Sequence, residues 1–292
     1  MKNINGLFIG LSTIDIIYLV ESPPKVDEKT IAIDQVTCSG GPATNAAITF
    51  SALGGNSALS SVVGQHSLNK IIYDEFTQFN IEHLELLPNY KEPITLSSIN
   101  VKKSTGERSI VYLNPIKNKI TKFSQNYDFK NIDIVMLDGH EMKLSIEVCR
   151  QLKKSNITTI LDGGSWKEGT KELLPYIDYV ICSEKFLPPD CFTSKDVINY
   201  VSEHRVNNIA ITKGPKPIIV SENGNKEYIQ VDNTEIIDTL GAGDIFHGAF
   251  CYCILKSDFD FRSSILNASK TATNSCKYFG PRKWIYVDEN AL

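Results

Sequence analysis

Ile237-Asp238-Thr239-Leu240-Gly241-Ala242-Gly243-Asp244 runs directly into Ile245-Phe246-His247-Gly248-Ala249-Phe250-Cys251-Tyr252-Cys253-Ile254. Apolar residues at 245, 246, 249, 250, 253 and 254 recur at helical spacing, which places Gly-Ala-Gly on the N-terminus of a buried helix. The first turn of a helix leaves backbone N–H groups without intrahelical acceptors and carries partial positive charge, and glycines let an anion approach that backbone. A phosphate fits there. Asp244 then needs a reason, because a carboxylate beside an anion repels it unless there is a proton to receive or a metal to share. A general base that takes a proton from an attacking hydroxyl meets the requirement. In isolation, a capping acid beside a tight turn reads the same way, so the rest of the chain decides.

A second glycine site lies near the other end. Cys38-Ser39-Gly40-Gly41-Pro42-Ala43-Thr44-Asn45 opens the small, apolar helix Ala46 to Leu53, which Gly54-Gly55 terminates. A helix this apolar is buried on most sides. The Gly-Gly entrance permits close backbone approach, and Asn45 offers an amide that both donates and accepts, as a sugar hydroxyl requires. The alternative is a plain helix start with Asn45 bonded to local backbone.

Between the two sites the pattern is that of an α/β chain. Leu7 to Leu11 is a continuous apolar run broken by Gly10, the signature of a buried parallel strand, and Asp15 follows just past its end, where open α/β sheets hold ligands. Extended segments 16–20 and 30–36, joined through Pro23, Pro24 and a charged turn, suggest a small flap. Residues 57–63 read as a strand, 68–79 as an amphipathic helix, and 95–101 with 108–113 as a hairpin about Ser104 to Glu107 that could pair with the flap. Then come strand 132–137, helix 143–154, strands 158–162 and 178–182, helix 194–204, strand 208–212 and a hairpin of 217–220 with 227–230. Such repetition implies a doubly wound, mostly parallel sheet covered by helices on both faces, with a small β lid from segments of about 15–37 and 94–114 in a single domain spanning 1–292.

Composition narrows the function. The 292 residues carry a net charge of −4 with both signs interspersed, which favours neither nucleic acid nor an anionic membrane. Seven cysteines, at 38, 149, 182, 191, 251, 253 and 276, form no C-x-x-C pair and fall partly in apolar runs, as reduced buried thiols do. With no signal-peptide pattern after Met1 and no run of membrane-spanning length, a cytoplasmic protein with a small-molecule partner is expected.

Taken together, Gly40-Gly41-Pro42-Ala43-Thr44-Asn45-Ala46-Ala47 and Asp238-Thr239-Leu240-Gly241-Ala242-Gly243-Asp244, about two hundred residues apart, closely resemble the paired motifs of the ribokinase-like, or phosphofructokinase-B, family of carbohydrate kinases. Within it, Asp15, Lys25-x-Asp27, Gly41, Asn45 and Gly106-x-Arg108-x-Ile110-x-Tyr112 make the chain look most like the ketohexokinases. The resemblance implies ATP with Mg²⁺, with K⁺ as a further candidate cofactor, and phosphorylation of a hydroxymethyl group on a small carbohydrate, a ketohexose such as fructose. It assigns Asp244 as base and the N–H groups of Gly241, Ala242 and Gly243 as anion hole. It places Asp15, Asp27, Gly41 and Asn45 on the sugar, and Arg108, Thr212, Gly214, Asn274 and Gly280 on the nucleotide.

The chain departs from the family in two places. Ile181-Cys182-Ser183-Glu184-Lys185-Phe186 stands where many members have an Asn-x-x-Glu that organises magnesium, leaving Glu184 to act on the metal through water. Pro42 replaces an asparagine of the ketohexokinases and removes a possible sugar hydrogen bond. His140, after a strand end, is an ordinary polar loop residue on this reading. A ribose or nucleoside kinase is the nearest alternative, and a non-catalytic sugar or nucleotide sensor the next. A dinucleotide oxidoreductase fails for want of a third glycine after Gly241-Ala242-Gly243. The exposed edges of the lid strands lead to an expected homodimer.

Overall fold

The apolar run at the N-terminus forms β1 (Asn5–Ile9), which pairs in parallel with two neighbours and has Leu7, Phe8 and Ile9 fully buried. The structure is a computed structural model that describes residues 3–113 and 120–287. Residue 114, the expected end of the second lid segment, and Met1 lie outside the described residues. After β1 come β2 (Thr13–Val20), β3 (Asp34–Gly40), α1 (Pro42–Ala52), β4 (Asn56–Ser61), α2 (Lys70–Gln78), β5 (Glu82–Glu85), β6 (Leu96–Lys102) and β7 (Arg108–Tyr112). The second half adds β8 (Ile134–Leu137), α3 (Met142–Leu152), β9 (Thr158–Gly163), the short α4 (Thr170–Leu173), β10 (Tyr179–Ser183), α5 (Ser194–Glu203) and β11 (Asn208–Lys213). It ends with the antiparallel β12 (Lys216–Glu222) and β13 (Asn225–Ile229), then α6 (Ala242–Lys256), α7 (Phe261–Ser275) and α8 (Lys283–Val287).

Nine strands form one sheet in the order β13-β12-β11-β10-β9-β8-β1-β4-β5, parallel from β5 to β11 and antiparallel at the β13 edge. Successive residues of a strand face opposite sides. Phe8, Leu59, Met136, Ile160, Ile181 and Ala210 therefore pack on α1, α2, α6 and α7, while Leu7, Ile9, Val135, Leu137, Leu161, Val180 and Cys182 pack on α3, α4 and α5. The doubly wound architecture is as expected. Among the described residues no helix is long and apolar enough to cross a membrane, and all seven cysteines are free.

A second sheet, β3-β2-β6-β7, is the lid: β2 pairs antiparallel with β3 and parallel with β6, and β6 antiparallel with β7. Its inner residues Ile17, Leu19, Ile99 and Val101 pack on Phe279, Ile237 and Leu240, so the lid rests on the C-terminal glycine motif. Three boundaries shift from expectation. The helix begins at Pro42 rather than Ala46, because proline suits the first helical position, where no N–H is needed. The second flap strand occupies 34–40 rather than 30–36, paired residue by residue with 13–19. The segment 67–69 is a 3₁₀ turn ahead of α2. The strand β5 and the helices α4, α7 and α8 had no counterpart in the sequence reading.

Candidate active site

The two glycine motifs meet because α1 and α6 cross at contact distance. A Cβ on Gly248 would lie 2.3 Å from the Ala46 carbonyl oxygen and 2.7 Å from the Thr49 side chain, so only glycine lets the helices come this close. The crossing sets Asn45 beside Asp244, and Asn45 Nδ2 donates to Asp244 Oδ2 over 2.7 Å. Asn45 Oδ1 is buried without a partner among the described residues. An orphaned buried acceptor is costly. A ligand hydroxyl would satisfy it.

At the start of α6, Gly241 adopts φ 72°. A Cβ on Gly243 would meet nothing within 4 Å, so open space faces this turn. The N–H groups of Gly241 and Gly243 find no acceptor among the described residues, whereas that of Ala242 is spent on the Thr239 carbonyl at 3.3 Å. The expected three-amide cradle therefore presents Gly241 and Gly243, with Ala242 held in the preceding turn. Burial and, second to it, the charge of Asp162 raise the Asp244 carboxyl to about 7 against the opposing Asn45 bond, His247 and Arg108. A carboxyl held near neutrality is suited to take up a hydroxyl proton.

The sugar candidates divide. Gly41, the N-cap of α1, has φ 97°, and a Cβ there would sit 2.2 Å from the Leu11 carbonyl oxygen. Asp15 is buried, accepts from Thr13 Oγ1 at 2.8 Å and is bonded by Ser97; burial raises its proton affinity against these bonds and the charge of Arg282. A Cβ on Gly40 would overlap the Asp15 carboxylate, which ties β3 to this acid. Asp27 is exposed in the loop between β2 and β3.

Of the residues expected on the nucleotide, Thr212 is the penultimate residue of β11 with its Oγ1 on the Cys182 carbonyl at 3.3 Å, and Gly214 (φ 59°) leaves open space where a Cβ would be. Asn274 is half-buried on α7. Gly280 is buried and donates its N–H to Asp238 Oδ2 at 2.9 Å, which fastens the segment after α7 to the C-terminal glycine motif. Asp238 Oδ1 accepts from Leu240 N at 2.8 Å. Arg108 does not project freely from the lid: its Nη1 donates to Thr239 O and Oγ1 at 3.0 and 2.7 Å. Glu184 is exposed and its N–H donates to Thr212 O at 3.1 Å. Among the described residues no group of three or more His, Cys, Asp or Glu side chains could hold a metal ion.

Three residues escaped the sequence reading. Asp162, at the end of β9, and His247, one turn into α6, lie under Asp244 with His247 Nδ1 3.5 Å from Asp162 Oδ2. Both are buried. Arg282 reaches Ser39 O at 2.9 Å and Glu75 Oε1 at 3.3 Å, bracing the strand that ends in Gly40. Buried ionisable residues at strand ends were the available signal for Asp162.

A doubly wound sheet, a glycine-rich helix start with a neutralisable carboxylate, and a hydrogen-bonding cleft beneath a β lid together define a phosphotransferase. The chain matches the pfkB family carbohydrate kinase description over residues 5–285, and it belongs to that family. It is 23% identical over 290 residues to a ribokinase of Bacillus subtilis strain 168, covering 96% of this chain and 94% of the relative. The structure of a putative ribokinase from Agrobacterium tumefaciens superposes with a TM-score of 0.84 at 25% identity, covering 97% of this chain and 94% of that one. An Arabidopsis thaliana ribokinase complexed with ribose and ATP shares the fold, with a TM-score of 0.71, 20% identity and coverage of 96% and 94%. The chain is thus a sugar kinase of the ribokinase-like type.

Proposed function

We propose that this kinase transfers the γ-phosphoryl group of ATP to a hydroxymethyl group of a small sugar bound between Asp15, Gly41 and Asn45, with Asp244 as base. The observation that carries the reading is the Asn45–Asp244 hydrogen bond with Asn45 Oδ1 left open beside it. A hydroxyl seated there would donate to Asn45 and lie next to the carboxylate that takes its proton. The N–H groups of Gly241 and Gly243 would stabilise charge developing on the transferred group. Magnesium, when bound with the nucleotide, would neutralise phosphate charge, and Glu184 would reach it through water. Thr212, Gly214 and Asn274 line the nucleotide's side of the cleft, and Arg108, released from Thr239, would close on it.

Two sugars compete. Ribose is favoured by the names of the relatives. A ketohexose such as fructose is favoured by the Lys25-x-Asp27 and Gly106 to Tyr112 patterns in the lid. A coupled ADP-release assay over ribose, fructose and adenosine tests the proposal. Rapid ADP release with one of the sugars supports it, and sugar-independent hydrolysis alone overturns it.

The lid's β7 edge is exposed throughout, with Val111 on it and Leu113 just after it each about three-quarters exposed. An unpaired apolar edge of this kind suits a second copy of the chain. Sedimentation should show a dimer that Val111→Lys dissociates.

A further inference from the structure

His247 sits where its chemistry is constrained from two sides. Its Nδ1 lies 2.7 Å from the Gly243 carbonyl oxygen and its Nε2 3.1 Å from the Ile181 carbonyl oxygen. Carbonyl oxygens only accept, so each ring nitrogen must present an N–H; a neutral imidazole would aim a lone pair at one of them. Among the described residues, the carboxylate paired with the ring is Asp162, 3.5 Å from Nδ1. Asp162 in turn is largely buried near the end of β9, where burial raises its proton affinity and His247 foremost opposes. A carboxylate taken largely out of water is costly unless a charge of opposite sign lies beside it.

We propose that His247 is a positioning residue for phosphoryl transfer: as an imidazolium it binds Asp162, locks the first turn of α6 to β10, and screens the base Asp244 from the Asp162 charge. The proposal rests on the kinase reading above, with Asp244 as base. Gly243 contributes both an anion-hole N–H and the carbonyl that holds the imidazole, so ring and anion hole share one peptide segment. The electrostatic surroundings are mixed. Facing Asp162 are His247 on α6, Asp138 and His140 after β8, Lys167 after β9, and the thiols of Cys182 on β10 and Cys251 on α6. Facing Asp244 are Asp162, His247, Arg108 from β7 and the neutral amide of Asn45. Asp162 and His247 act on Asp244 in opposite directions.

Opposite directions make the test specific. With the sugar that supports fastest ADP release, His247→Asn should move the acidic limb of kcat/KM upward by about one pH unit, since Asp162 then acts on Asp244 unopposed. Asp162→Asn should move it downward by a similar amount. A histidine with only a packing role would lower the amplitude in His247→Asn and leave that variant's acidic limb in place, which overturns the proposal. A second readout does not depend on turnover: ¹⁵N spectra of ring-labelled histidine in the wild-type protein at neutral pH, with His247 assigned by its variant. Two protonated ring nitrogens, reverting to one in Asp162→Asn, support the proposal; a neutral tautomer in the wild type overturns it. Failure of the kinase reading would show separately, as an Asp244→Asn enzyme with full activity.

Discussion

Asn45 and Asp244, 199 positions apart in the chain, are joined by a 2.7 Å hydrogen bond from the amide to the carboxylate. The bond is a consequence of helix packing. Gly248 has no side chain to hold α1 and α6 apart where they cross, and the first turns of both helices then open into the same cleft. A sugar-side residue thereby orients the base. It also favours the charged carboxylate against the burial that neutralises it.

Asp244→Asn should separate catalysis from stability. Loss of the base is expected to lower turnover by roughly 10²–10⁴-fold with little change in sugar affinity. The folded state holds the Asp244 proton up to about 7, against an ordinary value of 3.8. The group's contribution to stability is therefore complete below that ordinary value and is lost as pH rises through the folded one. At pH 8 the buried charge is a cost that asparagine lacks, so the variant should melt higher, by ~2–8 °C for ~1–2 kcal/mol. Thermal melts at pH 5 and 8 check this: the difference from wild type should grow with pH, and a variant less stable at pH 8 would contradict it.

Asn45→Ala removes both the amide that supports the Asp244 charge and the acceptor left open for a hydroxyl. Sugar KM should rise about tenfold, in line with about 1.4 kcal/mol for a lost hydrogen bond. The acidic limb of the rate profile should move up as well. Initial rates over a pH series resolve the two effects. A KM change with an unmoved limb would place Asn45 on the sugar alone.

Much of this arrangement was legible in the sequence, and what was missed shares a cause. The strands from 7 to 11 and 132 to 212 announce themselves because parallel strands buried on both faces are short apolar runs. Asp244, Gly41 and Asn45 stand out because glycine and polar residues interrupt strongly apolar helices. β5 (Glu-His-Leu-Glu) has no such run, since it lies at a sheet edge and is only half-buried. The serine-rich, polar α7 carries its apolar residues too sparsely to show a clear period. Asp162 and His247 meet only in the fold, across 85 residues of chain, and no local pattern encodes that. Arg108 was expected over the phosphates; its contact with Thr239 depends on how the lid sits.

Gly248→Ala tests the helix crossing itself. The added Cβ meets backbone, the Ala46 carbonyl oxygen at 2.3 Å, which cannot rotate away. Overpacking of this kind costs about 1–3 kcal/mol. Because the helices must separate to admit it, turnover should fall although the residue touches no ligand. Gly214→Ala is the control, having open space at its Cβ and only a φ of 59° to strain it. Urea unfolding of the two variants should rank Gly248→Ala the more damaging.

The buried cluster of Arg282, Glu75 and Ser39 should behave as a coupled unit. Arg282 Nη2 donates to Ser39 O at 2.9 Å, Arg282 Nε to Glu75 Oε1 at 3.3 Å, and Ser39 N to Glu75 Oε2 at 2.7 Å. The Ser39 hydroxyl also donates to Glu75 Oε2. Removing one charge strands the other in a site where both side chains are largely buried, so Glu75→Leu or Arg282→Met alone should cost about 3–5 kcal/mol. The double replacement should cost less than the sum of the two, by roughly 0.5–3 kcal/mol of coupling. Ser39 immediately precedes Gly40-Gly41, so each single variant should also raise sugar KM, and the double variant should not recover it. Denaturant unfolding gives the cycle and steady-state kinetics the second readout. Strictly additive stabilities would show that the ion pair contributes nothing as a pair, and an unchanged KM would detach it from the sugar site.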